Sequence, residues 1–163
     1  NYSKLASCGD DSQLATSGDD SQLATSGYYS KLASSGYNSQ LATSGKDSQL
    51  ASSGNYSKLA SSGNYSKLAS CGDDSQLATS GNNSKLATSG YDSKLEIKGI
   101  NSVASNIGIN GKIKGVKGTW ITLAEYKKNK CISVKSKLID GIKIKENVWY
   151  TLKNKKFLEV KDN

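Results

Sequence analysis

The sequence contains no histidine, methionine, proline or arginine, and only one phenylalanine. Without histidine, neither a Ser/His nor a Cys/His nucleophile pair can be built, and the usual zinc-binding patterns are missing as well. Acid pairs such as Asp10-Asp11 lie in predicted solvated turns, a setting more typical of structure than of acid–base or calcium chemistry. No apolar run is long enough for a signal peptide or a membrane span. The sequence therefore predicts a protein that is not an enzyme and holds no metal or other cofactor.

Cysteine is also scarce, with three copies in the chain. Cys8 and Cys71 take the last position of a repeated motif that has serine there in its other copies. They are seven repeats apart, which is not one stacking step, so we expect small buried residues rather than a disulfide. Cys131 opens a predicted strand and is expected in the core.

Residues 1–98 consist of one nine-residue motif repeated eleven times, clearest at residues 54–62. Its template is Gly-x-x-Ser-(Lys/Gln)-Leu-Ala-(Ser/Thr)-Ser. One nonamer cannot bury a hydrophobic face alone, so the repeats must stack into an array. A leucine at every ninth position is not typical of a disordered segment. The predicted structural ladder is Leu14, Leu23, Leu32, Leu41, Leu50, Leu59, Leu68, Leu77 and Leu86, with Leu5 and Leu95 at its ends.

The motif itself predicts an all-β fold, a β-solenoid. Ser-x-Leu places serine and leucine on one side of a short strand, with lysine or glutamine on the other. Glycine and the two variable residues are suited to a turn. Nine residues are too few for a closed coil, so each coil holds two or three repeats. We favour two, which gives an 18-residue coil with two flat packed sheets.

The repeat weakens after Lys94, and a different pattern begins near Gly115. Strands are predicted at 119–126, 131–139, 142–145, 149–152 and 157–160, with a hairpin at Asp140-Gly141. The chain is thus predicted to hold a solenoid domain at 1–114 and a small antiparallel β cap domain at 115–163. The cap covers the last rung. The first rung has no such cover in this sequence, which predicts a homo-oligomer formed through it.

Charge and variable residues predict where a partner binds. Residues 1–94 hold 7 Lys and 8 Asp, a net charge of −1, whereas residues 95–163 hold 15 Lys and 6 acids, a net charge of +9. A basic surface attracts phosphate backbones, although lysine also serves as a solvating residue that keeps strand edges soluble. The candidate partner-binding residues are the turn tyrosines Tyr28, Tyr29, Tyr37, Tyr56, Tyr65 and Tyr91, and, near the C-terminus, Lys127, Lys128, Lys130, Lys143, Lys145, Trp149, Tyr150, Lys155 and Lys156.

Two resemblances bear on the fold and its setting. The motif at residues 36–44, Gly-Tyr-Asn-Ser-Gln-Leu-Ala-Thr-Ser, resembles the repeats of bacterial ice-nucleation proteins with one residue inserted, which implies a two-sheet solenoid. The whole chain resembles uncharacterised bacterial and phage or prophage proteins, which couple such repeats to a C-terminal segment like residues 118–126, 145–150 and 157–160. The second resemblance implies a phage or other mobile-element context.

These observations predict a non-catalytic, rigid interaction protein that binds a host protein or ribonucleoprotein, for example as an inhibitor of a host defence component. No membrane partner is expected. The host cytoplasm is favoured over an extracellular or surface location. One alternative is a structural or surface assembly element, such as a fibre or an ice-binding-like surface. The other is nucleic-acid binding through the basic C-terminal region.

Overall fold

The computed structural model describes residues 2–161, and all of its regular elements are strands. Residue 1 and residues 162–163, which the two predicted domains include, lie outside this range. Within it there is no helix long and apolar enough to cross a membrane. The strands are β1 (Lys4–Ser7), β2 (Gln13–Thr16), β3 (Gln22–Thr25), β4 (Lys31–Ser34), β5 (Gln40–Thr43), β6 (Gln49–Ser52), β7 (Lys58–Ser61), β8 (Lys67–Ser70), β9 (Gln76–Thr79), β10 (Lys85–Thr88), β11 (Lys94–Ile97), β12 (Val103–Asn106), β13 (Lys112–Lys114), β14 (Trp120–Lys127), β15 (Lys130–Leu138), β16 (Trp149–Lys153) and β17 (Lys156–Val160).

The repeats wind into two facing sheets of parallel strands. Sheet A has the order β1-β3-β5-β7-β9-β11-β13-β16-β17, and sheet B has the order β15-β14-β12-β10-β8-β6-β4-β2. Each strand pairs in register with the strand two repeats away, so that Lys4 pairs with Gln22 and Leu5 with Leu23. Two repeats therefore form one 18-residue coil, and the predicted β-solenoid is confirmed.

The leucines form the core between the two sheets. Side chains alternate along a strand, so the leucine and the Ser or Thr two residues later point inward while lysine, glutamine and alanine point outward. Leu23 to Leu86 are at most 2 % exposed, and burial of each contributes about 2 kcal/mol. On the first rung, Leu5 is 36 % exposed and Leu14 is 8 % exposed.

Hydrogen-bonded serine and glycine residues fix each corner. The hydroxyl of Ser57 donates to the carbonyl oxygen of Gly54 and accepts from the hydroxyl of Ser52, which in turn accepts from the Gly54 N–H. These bonds satisfy the polar groups that the corner buries. A Cβ at Gly54 would collide with the carbonyl oxygen of Gly36 in the preceding coil. The corner therefore explains the serine, the Ser/Thr position and the glycine of the motif.

The C-terminal segment extends both sheets as two hairpins. Strand β14 adds to sheet B in parallel with β12, and β15 folds back on it. Strand β16 adds to sheet A antiparallel to β13, and β17 folds back on that strand. Inward residues such as Ile121, Leu123 and Leu152 continue the core beyond the last repeat. Residues 115–161 therefore form the ends of the two solenoid sheets and have no sheet of their own.

The predicted Asp140-Gly141 hairpin and the strand at 142–145 are wrong. The segment 139–148 is an irregular loop, in which the Asp140 carboxylate accepts the N–H groups of Ile142, Lys143 and Ile144 at 2.8, 2.8 and 3.0 Å. Aspartate side chains compete with strand pairing by capping nearby backbone groups in this way. The Asp-Gly pair here thus begins a capped loop.

All three cysteines are exposed, contrary to the predicted burial. Cys8 and Cys71 lie three residues after the leucine of their repeats, and an odd separation places a strand side chain on the opposite face. Cys131 lies on β15, which is the free edge of sheet B and is exposed along most of its length. None of the three contributes to the core.

Candidate partner-binding surfaces

The corner turns form two edges along opposite sides of the solenoid. The first edge contains the turns before even-numbered strands, at 10–11, 28–29, 46–47, 64–65, 82–83 and 100–101. The second edge contains the turns before odd-numbered strands, at 19–20, 37–38, 55–56, 73–74, 91–92 and 109–110. All six candidate tyrosines are exposed, but they lie on two different edges. Tyr28, Tyr29 and Tyr65 lie on the first edge, and Tyr37, Tyr56 and Tyr91 lie on the second.

Asparagine and aspartate side chains stack the turns on both edges. The Asp10 carboxylate accepts the N–H of Tyr28 in the next coil at 2.8 Å, and Asp73 accepts the N–H of Tyr91 at the same distance. From the turn at 10–11 to the turn at 109–110, the second turn residue has φ between 51° and 59°, a region that Asp and Asn tolerate best. Tyr29, Tyr56 and Tyr65 also occupy this strained position. The stacked turns hold the exposed rings on a fixed backbone.

Six lysines converge where the two C-terminal hairpins turn. Both turns lie at the second edge, because β14 ends on that side and β16 runs antiparallel to β13 toward it. None of the six lysines forms an ion pair within residues 2–161. We call this cluster the lysine tip. Its members are Lys127, Lys128, Lys130, Lys153, Lys155 and Lys156.

Glu125 holds the two hairpin turns together. Its carboxylate accepts the N–H groups of Asn154 and Lys155 at 2.7 and 2.8 Å, which joins β14 to the β16–β17 turn. Asn154 and Lys155 have φ of 51° and 58°, as in a two-residue hairpin turn with its N–H groups exposed on one side. The lysine tip is therefore one fixed unit formed by both sheets.

The remaining candidate lysines, Lys143 and Lys145, lie at the opposite edge. Their loop packs against Gly115 and Gly118 at the end of the first edge. The Lys145 ammonium lies 2.9 Å from the Glu159 carboxylate, which raises the pKa of Lys145. The structure therefore separates these two lysines from the lysine tip.

The two aromatic candidates near the C-terminus, Trp149 and Tyr150, point to opposite faces of β16. Tyr150 is 2 % exposed, and its hydroxyl accepts the N–H of Lys145, while burial raises its pKa. It is a core residue, because alternation along β16 turns it toward sheet B. Trp149 faces outward and is half-buried, with the Lys114 ammonium 4.8 Å from its ring centroid. Its ring face is thus already occupied by a cation.

Two apolar columns on the outer face of sheet B were not identified from the sequence. In one column Val103 pairs with Trp120, and Trp120 pairs with Leu138. The second column begins with Ile107, the residue after the end of β12. Ile107 lies beside Ala124, because Asn106 pairs with Leu123, and Ala124 pairs with Val134. Between the two columns lie Ser105, Thr122 and Ser136. We call the exposed members the apolar patch. Its members are Val103, Ile107, Trp120, Val134 and Leu138, between 38 % and 54 % exposed.

The apolar patch replaces the Lys/Gln and Ser columns of the outer face of sheet B, whereas Ser105, Thr122 and Ser136 continue the Ala column between them. The sequence signal was the valine at position 103, where preceding even repeats have lysine or glutamine. Only the strand register shows that Trp120 and Leu138 continue the same column. Residues from three separated segments therefore form one surface.

No group of three or more Cys, Asp or Glu side chains within residues 2–161 is arranged to hold a metal ion. Comparison of the chain with protein-family models, with curated proteins and with solved structures gives no match in any of the three.

Proposed function

We propose that this protein is a non-catalytic, rigid interaction protein that binds a protein or ribonucleoprotein partner through its C-terminal hairpins. The observation that carries the proposal is the apolar patch, which exposes five large apolar side chains on one sheet face. Exposed apolar side chains grouped on one face are typical of protein interaction sites, with Trp among the residues that contribute most to binding. Trp120 lies in the middle of the first column, between Val103 and Leu138.

The solenoid supports this function by keeping the patch rigid. Strand β14 is hydrogen-bonded to β12 on one side and to β15 on the other, so Trp120 is held by a continuous eight-stranded sheet. A surface that is ordered before binding loses little conformational entropy on association. The repeats thus serve as a stiff support for the hairpins.

The lysine tip suggests what the partner carries. Strand β14 begins with Trp120 in the patch and ends with Lys127 at the tip. Six lysines without ion pairs among the described residues attract an anionic surface, such as the phosphates of a ribonucleoprotein. The resemblance to prophage proteins adds a specific form of the proposal, in which the partner is a host defence component.

The experiment is affinity capture from bacterial lysate with the full chain immobilised. The patch variant Trp120→Lys/Val134→Lys is compared with the control Gln49→Lys/Ser53→Lys, which adds the same charge to outward positions of sheet B. We expect the wild type and the control to retain the same protein, and the patch variant to lose it. Nuclease treatment shows whether nucleic acid contributes. Equal capture by wild type and patch variant, or none above background, would contradict the proposal.

Direct nucleic-acid binding is a second candidate function, favoured by the lysine tip. Fluorescence anisotropy with RNA and DNA oligonucleotides would show affinity that falls steeply with salt, with a logarithmic slope of about −0.7 per neutralised phosphate for single strands. The variant Lys127→Gln/Lys128→Gln/Lys155→Gln/Lys156→Gln is expected to flatten that slope. The control Lys31→Gln/Lys67→Gln, on the outer face of sheet B, is expected to leave it unchanged. Salt-independent binding would rule out this candidate.

A further inference from the structure

The second edge carries opposite charges along its length. Its turns hold five aspartates and no lysine, whereas the lysine tip projects from its C-terminal end. None of these aspartates forms an ion pair within residues 2–161. The acid pairs are followed by Gln22 and Gln76, and the nearest outward lysines lie on the neighbouring strands, where Lys58 and Lys94 pair with Gln76. The aspartates are Asp19, Asp20, Asp73, Asp74 and Asp92.

Two of these aspartates lie next to a pair of exposed aromatic rings. The ring centroids of Tyr37 and Tyr56 are 5.1 Å apart, and Asp73-Asp74 is the next turn along the same edge. The Tyr56 N–H donates to the Asp73 carbonyl oxygen at 2.8 Å, and the Asp74 carboxylate, ahead of Tyr37, raises the pKa of Tyr56. We call Tyr37, Tyr56, Asp73 and Asp74 the acceptor site. Aromatic faces beside carboxylates suit an ammonium group.

The first edge contains an example of the same contact. There the Lys46 ammonium lies 5.3 Å from the ring centroid of Tyr65, in the neighbouring turn. Lys46 belongs to the turn itself, so the first edge supplies its own cation. The turns of the acceptor site on the second edge contain no lysine that could contact the tyrosine rings in this way.

The lysine tip also projects past the end of β12, on the side of the second edge. Strand β12 ends at Asn106, which pairs with Leu123, and β14 continues for four residues to Lys127. At about 3.3 Å per residue the hairpin projects roughly 13 Å past the last residue of β12. Along sheet B, β14 and β8 are separated by three strand spacings, or about 14 Å. The tip therefore projects beyond the neighbouring strand end, on the side that carries the acceptor site.

From this arrangement we infer that a second copy of this chain docks on the second edge, antiparallel to the first, with each lysine tip on the acceptor site of the other copy. A two-fold axis makes the interface self-complementary, because each chain supplies one tip and one acceptor site. The charges that meet are opposite at both contacts. This inference does not rest on the proposed function, but it predicts that self-association and polyanion binding compete for the lysine tip.

The first measurement is the mass of the full chain in solution by sedimentation equilibrium, at low and at high salt. We expect a dimer at low salt whose dissociation constant rises at least tenfold at about 0.5 M salt, since exposed charge pairs are screened. A monomer under both conditions at high protein concentration would overturn the inference. So would growth beyond a dimer, which would instead indicate an open-ended assembly.

The second measurement exchanges the charges. Asp73→Lys/Asp74→Lys places like charges at both contacts, and Lys127→Glu/Lys128→Glu/Lys155→Glu/Lys156→Glu, which leaves four glutamates against two lysines at the tip, does the same from the other side. Each variant alone is expected to be monomeric, whereas an equimolar mixture restores a heterodimer with opposite charges at both contacts. The matched control is Asp10→Lys/Asp11→Lys on the first edge. Asp11 and Asp74 have φ of 54° and 52°, and Asp10 and Asp73 cap equivalent N–H groups, so the local strain is the same.

We expect the first-edge control to dimerise like the wild type, with circular dichroism confirming that all variants are folded. A mixture that stays monomeric would overturn the inference. So would a wild-type dimer that both charge variants leave intact but that Leu5→Lys abolishes, because that result would place the interface on the N-terminal rung.

Discussion

The repeats and the C-terminal hairpins use the same two sheets in different ways. In the repeats, every outward column contains short or polar side chains, and each coil differs from the next mainly at its turns. At the hairpins, the outward column that begins with Val103 on β12 continues through Trp120 and Leu138, and β14 extends four residues past the end of β12. The inward residues are apolar in both regions. The two regions therefore share a core but differ in the surface they offer to a partner.

This difference indicates how the two roles are divided. A solenoid coil contacts only its neighbours, so its stability depends on equal repeats that fit each other. Repeats that must remain alike have few positions free to vary. The hairpins at the end have a neighbour on only one side, which leaves their outward residues free to form a specific surface. If stability and recognition are separated in this way, core and surface substitutions should have effects of different size.

The largest effect is expected from the core of the repeats. Leu59→Ala removes a side chain that is 1 % exposed, and the cavity should lower the free energy of unfolding by about 2–5 kcal/mol. Leu158→Ala, on the outer face of β17, should change it by roughly 0.5 kcal/mol or less. Urea denaturation followed by circular dichroism measures both. A similar loss of unfolding free energy in the two variants would contradict the proposed separation of stability from recognition.

A smaller loss is expected at the corners. Gly54→Ala forces a Cβ against the carbonyl oxygen of Gly36, and the overpacking should lower the free energy of unfolding by about 1–3 kcal/mol. The control is Ser53→Ala, at the neighbouring exposed position, which should have little effect. The same denaturation experiment applies. An unchanged Gly54→Ala variant would show that neighbouring coils are packed more loosely than the structure indicates.

A gain is expected where the turns are strained. Tyr29 has φ of 55°, and Tyr29→Asn should relieve about 1 kcal/mol, since Asn tolerates this region well. That gain corresponds to a rise of about 2–4 °C in Tm. Tyr29→Phe keeps the ring and should leave Tm unchanged. A Tm that does not rise for Tyr29→Asn would show that the ring makes contacts that offset the strain.

The smallest effect is local to the loop at 139–148 and depends on pH. Three backbone N–H groups, that of Ile144 first, lower the pKa of Asp140 below its usual 3.8. The stabilisation is therefore present above pH 3.8 and is lost as the pH falls through the lower folded value. At neutral pH, Asp140→Ala should speed hydrogen exchange at Ile142 to Ile144, measured by NMR. Below the folded pKa, protection in the wild type and in the variant should converge; a pH-independent difference would contradict this account.

The fold of the repeats could be predicted because each physical requirement recurs every nine residues. Leucine spacing set the inward column, glycine marked the corner, and the length of the repeat required more than one for each coil. The hairpin sequences do not repeat, so each of their features is indicated only once. Their strands near 120–127 and 149–153 were recognised from local pattern, but the capped loop at Asp140 was not, because Asp-Gly favours a hairpin and a capped loop alike.

The sequence predicted only part of the candidate binding surfaces. The turn positions correctly placed the tyrosines at exposed corners, but alternation between two edges separated Tyr28 from Tyr37. Lysines at 127–130 and 153–156 come together only because the two hairpin turns project on the same side. Tyr150 was misassigned because strand alternation near the C-terminus had no repeat to fix which residues point inward.

The sequence alone determined the two-sheet solenoid, since a nine-residue period with one leucine and one glycine has few ways to bury its apolar side chains. The tertiary structure decided which surfaces exist. Strand register placed Val103, Trp120 and Leu138 in one column, and chain direction placed both lysine-rich turns at one edge. The physical reason is that burial depends on local spacing, whereas a binding surface depends on which distant segments become neighbours.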